Sequence, residues 1–199
     1  MSPIFTSLLI GFLALDTTIA FQVLIAQPIF SCTILGYLLG NFTLGVEIGT
    51  MMQLLWLHIV PAGASVFPEG NVASMVTCAI VLYFDSIGVP NLVFTIAFVI
   101  GIGVSYIGAW LTVLDRKLNS NILDLTLSAA AKGSFKKFLL LDFVGILIYF
   151  LIMSTLALIA LEAAGILIPF LNDTPLSTWE QELSFVKPAI WGIGISFTS

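Results

Sequence analysis

No lysine or arginine occurs before Arg116, so the first 115 residues carry carboxylates with neither of these cations to balance them. Those carboxylates are Asp16, Glu47, Glu69, Asp85 and Asp115, scattered among almost wholly apolar runs. A water-soluble fold cannot cover its surface with so few charges. Over all 199 residues the chain is 59% hydrophobic and 9% charged, with a mean hydropathy of +1.14. Soluble domains carry about 25% charged residues. The expected fold class is therefore an all-α polytopic membrane protein, in one membrane-embedded domain over 1–199. A net charge of −5 argues against a nucleic-acid partner, which needs clustered lysine and arginine. A signal peptide is not indicated, because a basic leader is missing and Asp16 interrupts the apolar run.

Two regions differ in character. A spanning helix needs about 20 apolar residues. Ile4 to Ala26 is long enough but contains Asp16, Thr17, Thr18 and Gln22. Ile29 to Leu39 is short, Leu44 to Val60 is broken by Glu47, Gln53 and His58, and Val72 to Phe84 is also short. Residues 1–90 thus read as a broken-helix part. Such segments point to a transport site, since irregular backbone survives at membrane depth only beside protein or a watery cavity. Residues 91–199 read as ordinary spans, with Leu92 to Leu114 and Phe143 to Leu161 clean, and Phe185 to Ser199 too short to cross. Arg116, Lys117, Lys132, Lys136 and Lys137 fall between Asp115 and Lys137, which is expected to be cytoplasmic. The acidic stretch Asn172 to Ser184 is expected outside. Leu118, Ile122, Leu125 and Ala129 recur at helical spacing, so this basic connection is either an interfacial amphipathic helix ending near Gly133 or a solvated loop.

The densest pattern is Gly36-Tyr-Leu-Leu-Gly-Asn-Phe-Thr-Leu-Gly-Val-Glu-Ile-Gly49. Gly36, Gly40, Gly45 and Gly49 either let helices approach closely or act as hinges. Asn41 suits a turn, so one helix is expected to end near Gly40 and another to start near Thr43 or Leu44. Glu47 then falls in a first turn, where the helix dipole favours a carboxylate. Beyond it, Gly49, Gln53 and Trp56 share one helical stripe. The glycine leaves room, the amide bridges hydroxyls and the indole covers a C–H face, a trio suited to a sugar. The alternative is an interhelical hydrogen bond from Gln53, with Trp56 facing lipid. Asp16, Gln22 and Gln27 form a polar spine. Asp16 is a functional candidate or the cap of a helix starting there, and Gln27-Pro28 marks a break. Pro61 to Gly70, with Gly63, Pro68 and Glu69, fits a re-entrant hairpin or an outer loop. His58 is the only histidine, so no histidine-based metal site or catalytic triad is expected, and no cofactor is implied. Cys32 and Cys78 read as buried small hydrophobes.

The order Asp16, Gln22, Gln27-Pro28, Gly36, Gly40-Asn41, Gly45, Gly49, Gln53, Pro61, Gly63-Ala64 and Pro68-Glu69 resembles the IIC subunit of mannose-type (mannose/fructose/sorbose) phosphotransferase system sugar permeases. The motif-dense part covers about residues 12–84; the rest is similar in hydropathy. The resemblance implies an elevator-type carrier in the bacterial inner membrane with re-entrant hairpins. It works with a IID-like membrane subunit in an oligomeric complex and moves a hexose-type sugar inward. Cytosolic IIA and IIB phosphocarriers phosphorylate the sugar, and the IIC subunit itself carries no phosphohistidine. By position, Gln53 is the leading sugar contact, followed by Asp16, Gln22 and Gln27, with Trp56 and Glu69 after them. Two departures stand out. Glu69 replaces the family's usual Asp, and the chain stops inside Pro188-Ala-Ile-Trp-Gly-Ile-Gly-Ile-Ser-Phe-Thr-Ser199, where relatives continue, so a fragment or reduced member is expected. Two other readings are an ion-coupled transporter working through Asp16 or Glu47, and a non-transporting scaffold in which the glycines serve packing alone.

Overall fold

A computed structural model describes residues 1–57 and 66–197. His58, Pro61 and Gly63 lie outside the described residues, and so does half of the expected hinge. The described part of that hinge has no regular secondary structure over 66–69 and is followed by a helix. All regular structure among the described residues is helical. The order is α1 (Pro3–Thr18), α2 (Pro28–Leu39), α3 (Phe42–Trp56), α4 (Gly70–Tyr83), α5 (Pro90–Ala131), α6 (Phe135–Asn172), two short 3-10 turns (Pro175–Glu180 and Glu182–Phe185) and α7 (Val186–Ser196). The all-α expectation holds.

The first four helices are short. At 1.5 Å per residue, the 12 and 15 residues of α2 and α3 reach about 18 and 22 Å. The hydrocarbon core is about 30 Å thick. Together they form a tight hairpin. Gly40 ends α2 in the left-handed region at φ 93°, its N–H and that of Asn41 both donating to the Gly36 carbonyl. Asn41 then caps α3 by accepting from the Leu44 N–H at 3.1 Å, and its amide donates to Asp85 at 2.8 Å. The turn expected at Gly40-Asn41 is present, one or two residues ahead of the anticipated start. The glycines bring the two backbones into contact. A Cβ on Gly45 would lie 2.6 Å from the Cys32 carbonyl and 2.7 Å from the Gly36 Cα. Gly49 meets the Pro28 carbonyl in the same way. Its space is filled by α2 and is not left for a ligand. Glu47 sits in the second turn of α3, not the first, and pairs with Lys187 of α7 at 3.4 Å.

α4 runs through the centre, with Val72 to Leu82 buried. Around it pack α1, α2, α3, α5 and α6. Its polar groups find partners inside: Ser74 donates to the Gly70 carbonyl at 2.6 Å and Thr77 to the Ala97 carbonyl at 3.3 Å. Cys32 and Cys78 are buried free thiols bonded to main-chain carbonyls, as expected of small interior residues. The outward face is apolar: Tyr106 and Trp110 of α5 are 65% exposed and Ile166 of α6 is 75% exposed. Lipid, unlike water, accepts such a surface.

One segment breaks as its polar residues suggest, and one span runs longer than expected. Ile4 to Ala26 is not one helix, because α1 stops at Thr18 and the chain unwinds over 19–27. Leu92 to Leu114 is only part of a 42-residue helix that continues through the basic connection to Ala131. Charged residues do not end a helix, and Lys, Arg, Leu and Ala are good helix formers. The stop comes at Gly133, at φ 67°. The basic connection is therefore helical to that glycine, but as the end of α5 rather than a separate helix or a loop. α6 returns antiparallel over 38 residues, enclosing Phe143 to Leu161 and passing Asp142 and Glu162. At the far end, the Glu180 carboxylate accepts from the first two amides of α5 within reach, Asn91 at 2.8 Å and Leu92 at 2.9 Å. A carboxylate at a helix N-terminus is favoured by the dipole. The acidic 172–184 stretch and the basic turn thus lie at opposite ends of the α5–α6 hairpin.

Overpacking separates the glycines. Gly45→Ala is expected to cost about 1–3 kcal/mol, seen as a lower melting temperature in detergent. Gly165→Ala, on an open face of α6, is expected to leave melting unchanged or raise it slightly.

Candidate functional site

The unwound stretch after α1 is organised by Asp16. Its carboxylate, 5% exposed, accepts from the Val23 N–H at 2.7 Å and the Ala26 N–H at 3.1 Å. Asp16 does not cap a helix starting there; it lies near the end of α1 and holds the unwound chain beyond it. Three non-glycine residues in that stretch adopt left-handed backbone: Phe21 (φ 65°), Gln22 (52°) and Leu24 (71°). Such conformations cost of order 1–3 kcal/mol each and persist only where surroundings enforce them. The two charge-assisted hydrogen bonds to Asp16 supply that enforcement.

Gln53 bridges the break to the hairpin. Its amide N–H donates to the Gln27 carbonyl oxygen Oε1 at 3.0 Å, and its own Oε1 accepts from the Ile29 N–H at 3.4 Å. Gln27 is the residue preceding α2, and Pro28 is its first residue. Gln53 therefore makes the interhelical bond that was the alternative to a ligand role, and it also faces a cavity. One turn on, Trp56 lies on the same wall instead of facing lipid. Its indole backs onto Gly70, where a Cβ would fall 2.7 Å from the ring. The indole N–H is buried with no hydrogen-bond partner among the described residues.

The third side comes from the chain entering α4. The Glu69 N–H donates to the Ser105 carbonyl of α5 at 2.9 Å. Its carboxylate accepts from Thr112 Oγ1 at 2.7 Å. Gly108 makes this approach possible, since a Cβ there would lie 2.9 Å from that of Glu69. The longer side chain at this position thus finds its partner on α5. Asn71 donates to Thr17 Oγ1 at 3.3 Å, tying α4 to the end of α1.

These walls enclose about 470 Å³, within the usual range of small-molecule sites. Asp16, Gln22, Gln27, Gln53, Trp56 and Glu69 all line it, as does Pro68. The glycines and Asn41 of the hairpin do not. Four polar lining residues were not anticipated: Thr17, Asn71, Thr112 and Arg116. Ser105, Gly108, Thr112 and Arg116 recur at helical spacing on one face of α5. That stripe was the available signal, hidden inside a run that reads as a plain apolar span.

Comparison with known proteins adds to the geometry. A family model described as "PTS system sorbose-specific IIC component" matches residues 1–184. The sorbose-specific EIIC component of Klebsiella pneumoniae is 27% identical over 110 residues, which are 55% of this chain and 39% of that protein. The matched part thus spans about two-fifths of that relative's length. A solved structure described as a membrane protein superposes with a TM-score of 0.75 at 19% identity, over 98% of this chain and 77% of its own. This last likeness shows the fold.

Replacing Asp16 by Ala is expected to release the 19–27 stretch. Losing the acceptor for two amides costs about 1–3 kcal/mol. Hydrogen exchange at Val23 and Ala26 is then expected to accelerate about 10–100-fold, with amides of α4 less affected.

Proposed function

The chain belongs to the sorbose-type IIC components of the phosphotransferase system, and from that premise we propose that it is the sugar-carrying membrane subunit of such a system. The observation supporting this most strongly is the meeting of Asp16, Gln22, Gln27, Gln53, Trp56 and Glu69 around one cavity, from three separate stretches of chain. Its chemistry suits a hexose. Amides from Gln22, Gln27, Gln53 and Asn71 offer donor and acceptor together. Trp56 adds an apolar ring face and an indole N–H. The carboxylates of Asp16 and Glu69 accept from hydroxyls.

In this reading the whole chain acts as one membrane-embedded unit in the bacterial inner membrane, with the basic end of the α5–α6 hairpin toward the cytosol. A IID-like membrane subunit completes the carrier in an oligomeric complex, and cytosolic IIA and IIB proteins phosphorylate the sugar. The subunit itself does no phosphoryl chemistry. Transport proceeds by an elevator-type movement of the broken-helix part. An ion-coupled mechanism is less well supported, because Glu47 lies off the cavity and pairs with Lys187, which leaves Asp16 without a second carboxylate from that pair to share an ion.

Gln53→Ala is the sharpest test. In cells making the complete complex, phosphoenolpyruvate-dependent uptake of the preferred hexose is expected to fall at least tenfold, while the complex still co-purifies. Undiminished uptake would remove Gln53 from the site. Uptake that requires an ion gradient but no phosphoenolpyruvate would replace the mechanism. Absence of any sugar binding would leave a scaffold.

A further inference from the structure

Among its described lining residues the cavity has one cation, Arg116. Its position on α5 is informative. Ala109, Thr112, Val113 and Arg116 line the cavity from successive turns of that helix. Arg116 is the last of them, about 6 Å along the axis beyond Thr112. It lies on the side of the hairpin's basic turn, with Lys117 beside it and Lys132, Lys136 and Lys137 farther on. Its side chain is exposed, and it makes no hydrogen bond or salt bridge among the described residues. Its charge acts on Glu69 and Asp115 nearby, but the hydrogen bonds of those carboxylates go to Thr112 and, at 3.0 Å, to Asn119, so the guanidinium donors stay open. Balancing Glu69 and Asp115 needs a charge but not a free fork of donors, whereas a phosphoryl group uses both. The planar guanidinium matches phosphate oxygens with two parallel hydrogen bonds.

We propose that Arg116 is the phosphate-recognising residue of this cavity, so that the site holds a hexose monophosphate as well as the free hexose. The inference rests on the sugar-carrier reading and assigns a residue of the same site to the phosphate of the phosphorylated sugar. The hexose ring occupies the Gln53 and Trp56 end. Its phosphate reaches the Arg116 end, where the guanidinium offsets repulsion from Glu69. Arg116 thereby favours a phosphorylated sugar at the mouth of the cavity, on the side where the phosphocarrier would approach.

The test uses membranes containing the complete complex and radiolabelled mannose or fructose, displaced by the unlabelled hexose, mannose 6-phosphate or fructose 1-phosphate. In the wild type, a sugar phosphate is expected to displace the label. In Arg116→Gln, the affinity for sugar phosphate relative to free hexose is expected to fall at least tenfold. Arg116→Lys, which keeps the charge but not the fork, is expected to recover part of that ratio. An equal ratio in wild type and Arg116→Gln overturns the proposal. So does a wild type that binds hexose but is not displaced by sugar phosphate, or a parallel loss of both ligands that marks Arg116 as structural. A wild type that binds no hexose overturns the carrier reading and this inference together.

Discussion

A carboxylate holding two main-chain amides carries the rest of this structure. In lipid, a broken helix survives only if its freed backbone groups are satisfied. Asp16 does that for Val23 and Ala26. Without it, the left-handed turns at Phe21, Gln22 and Leu24 lose two of the bonds that hold them, and Gln27 loses support for the position from which it accepts from Gln53. The cavity is the space left open between the unwound stretch, the α2–α3 hairpin and α5.

The glycine-rich hairpin serves that arrangement from a distance. Gly36, Gly45 and Gly49 let α2 and α3 touch backbone to backbone, so two helices too short to cross the hydrocarbon core act as one rigid unit. Asn41 locks its tip to Asp85 at the end of α4. At the opposite end of α3, Gln53 and Trp56 are delivered to the cavity wall. Lys187 holds Glu47 along the way, and Glu180 anchors the start of the long α5.

How much of this was legible in the sequence depends on the range of each interaction. The Gly40-Asn41 turn is local chemistry, and its expected position lies within two residues of the observed one. The six cavity residues stand out because polar groups are rare in so apolar a chain. A break within Ile4 to Ala26 was legible from its polar residues, but its form after Thr18 was not, since it depends on Asp16 capturing amides seven and ten residues ahead. Thr112 and Arg116 escape notice for the opposite reason. Thr112 is a single hydroxyl in a clean hydropathic run, and Arg116 reads as a topological signal only. The true length of α5 is hidden because a charged residue suggests the edge of a membrane but says nothing about the end of a helix. The hairpin or loop expected at Pro61 to Gly70 lies half outside the described residues, and the short hairpin the structure describes is α2–α3, built on the anticipated Gly40-Asn41 turn.

The most direct measurement is an experimental structure of the intact complex with a saturating hexose. The account predicts sugar density in the cavity, stacked on Trp56, with hydroxyls within about 3 Å of the Gln53 amide. Sugar bound elsewhere in the complex, with this cavity empty or closed, would contradict it.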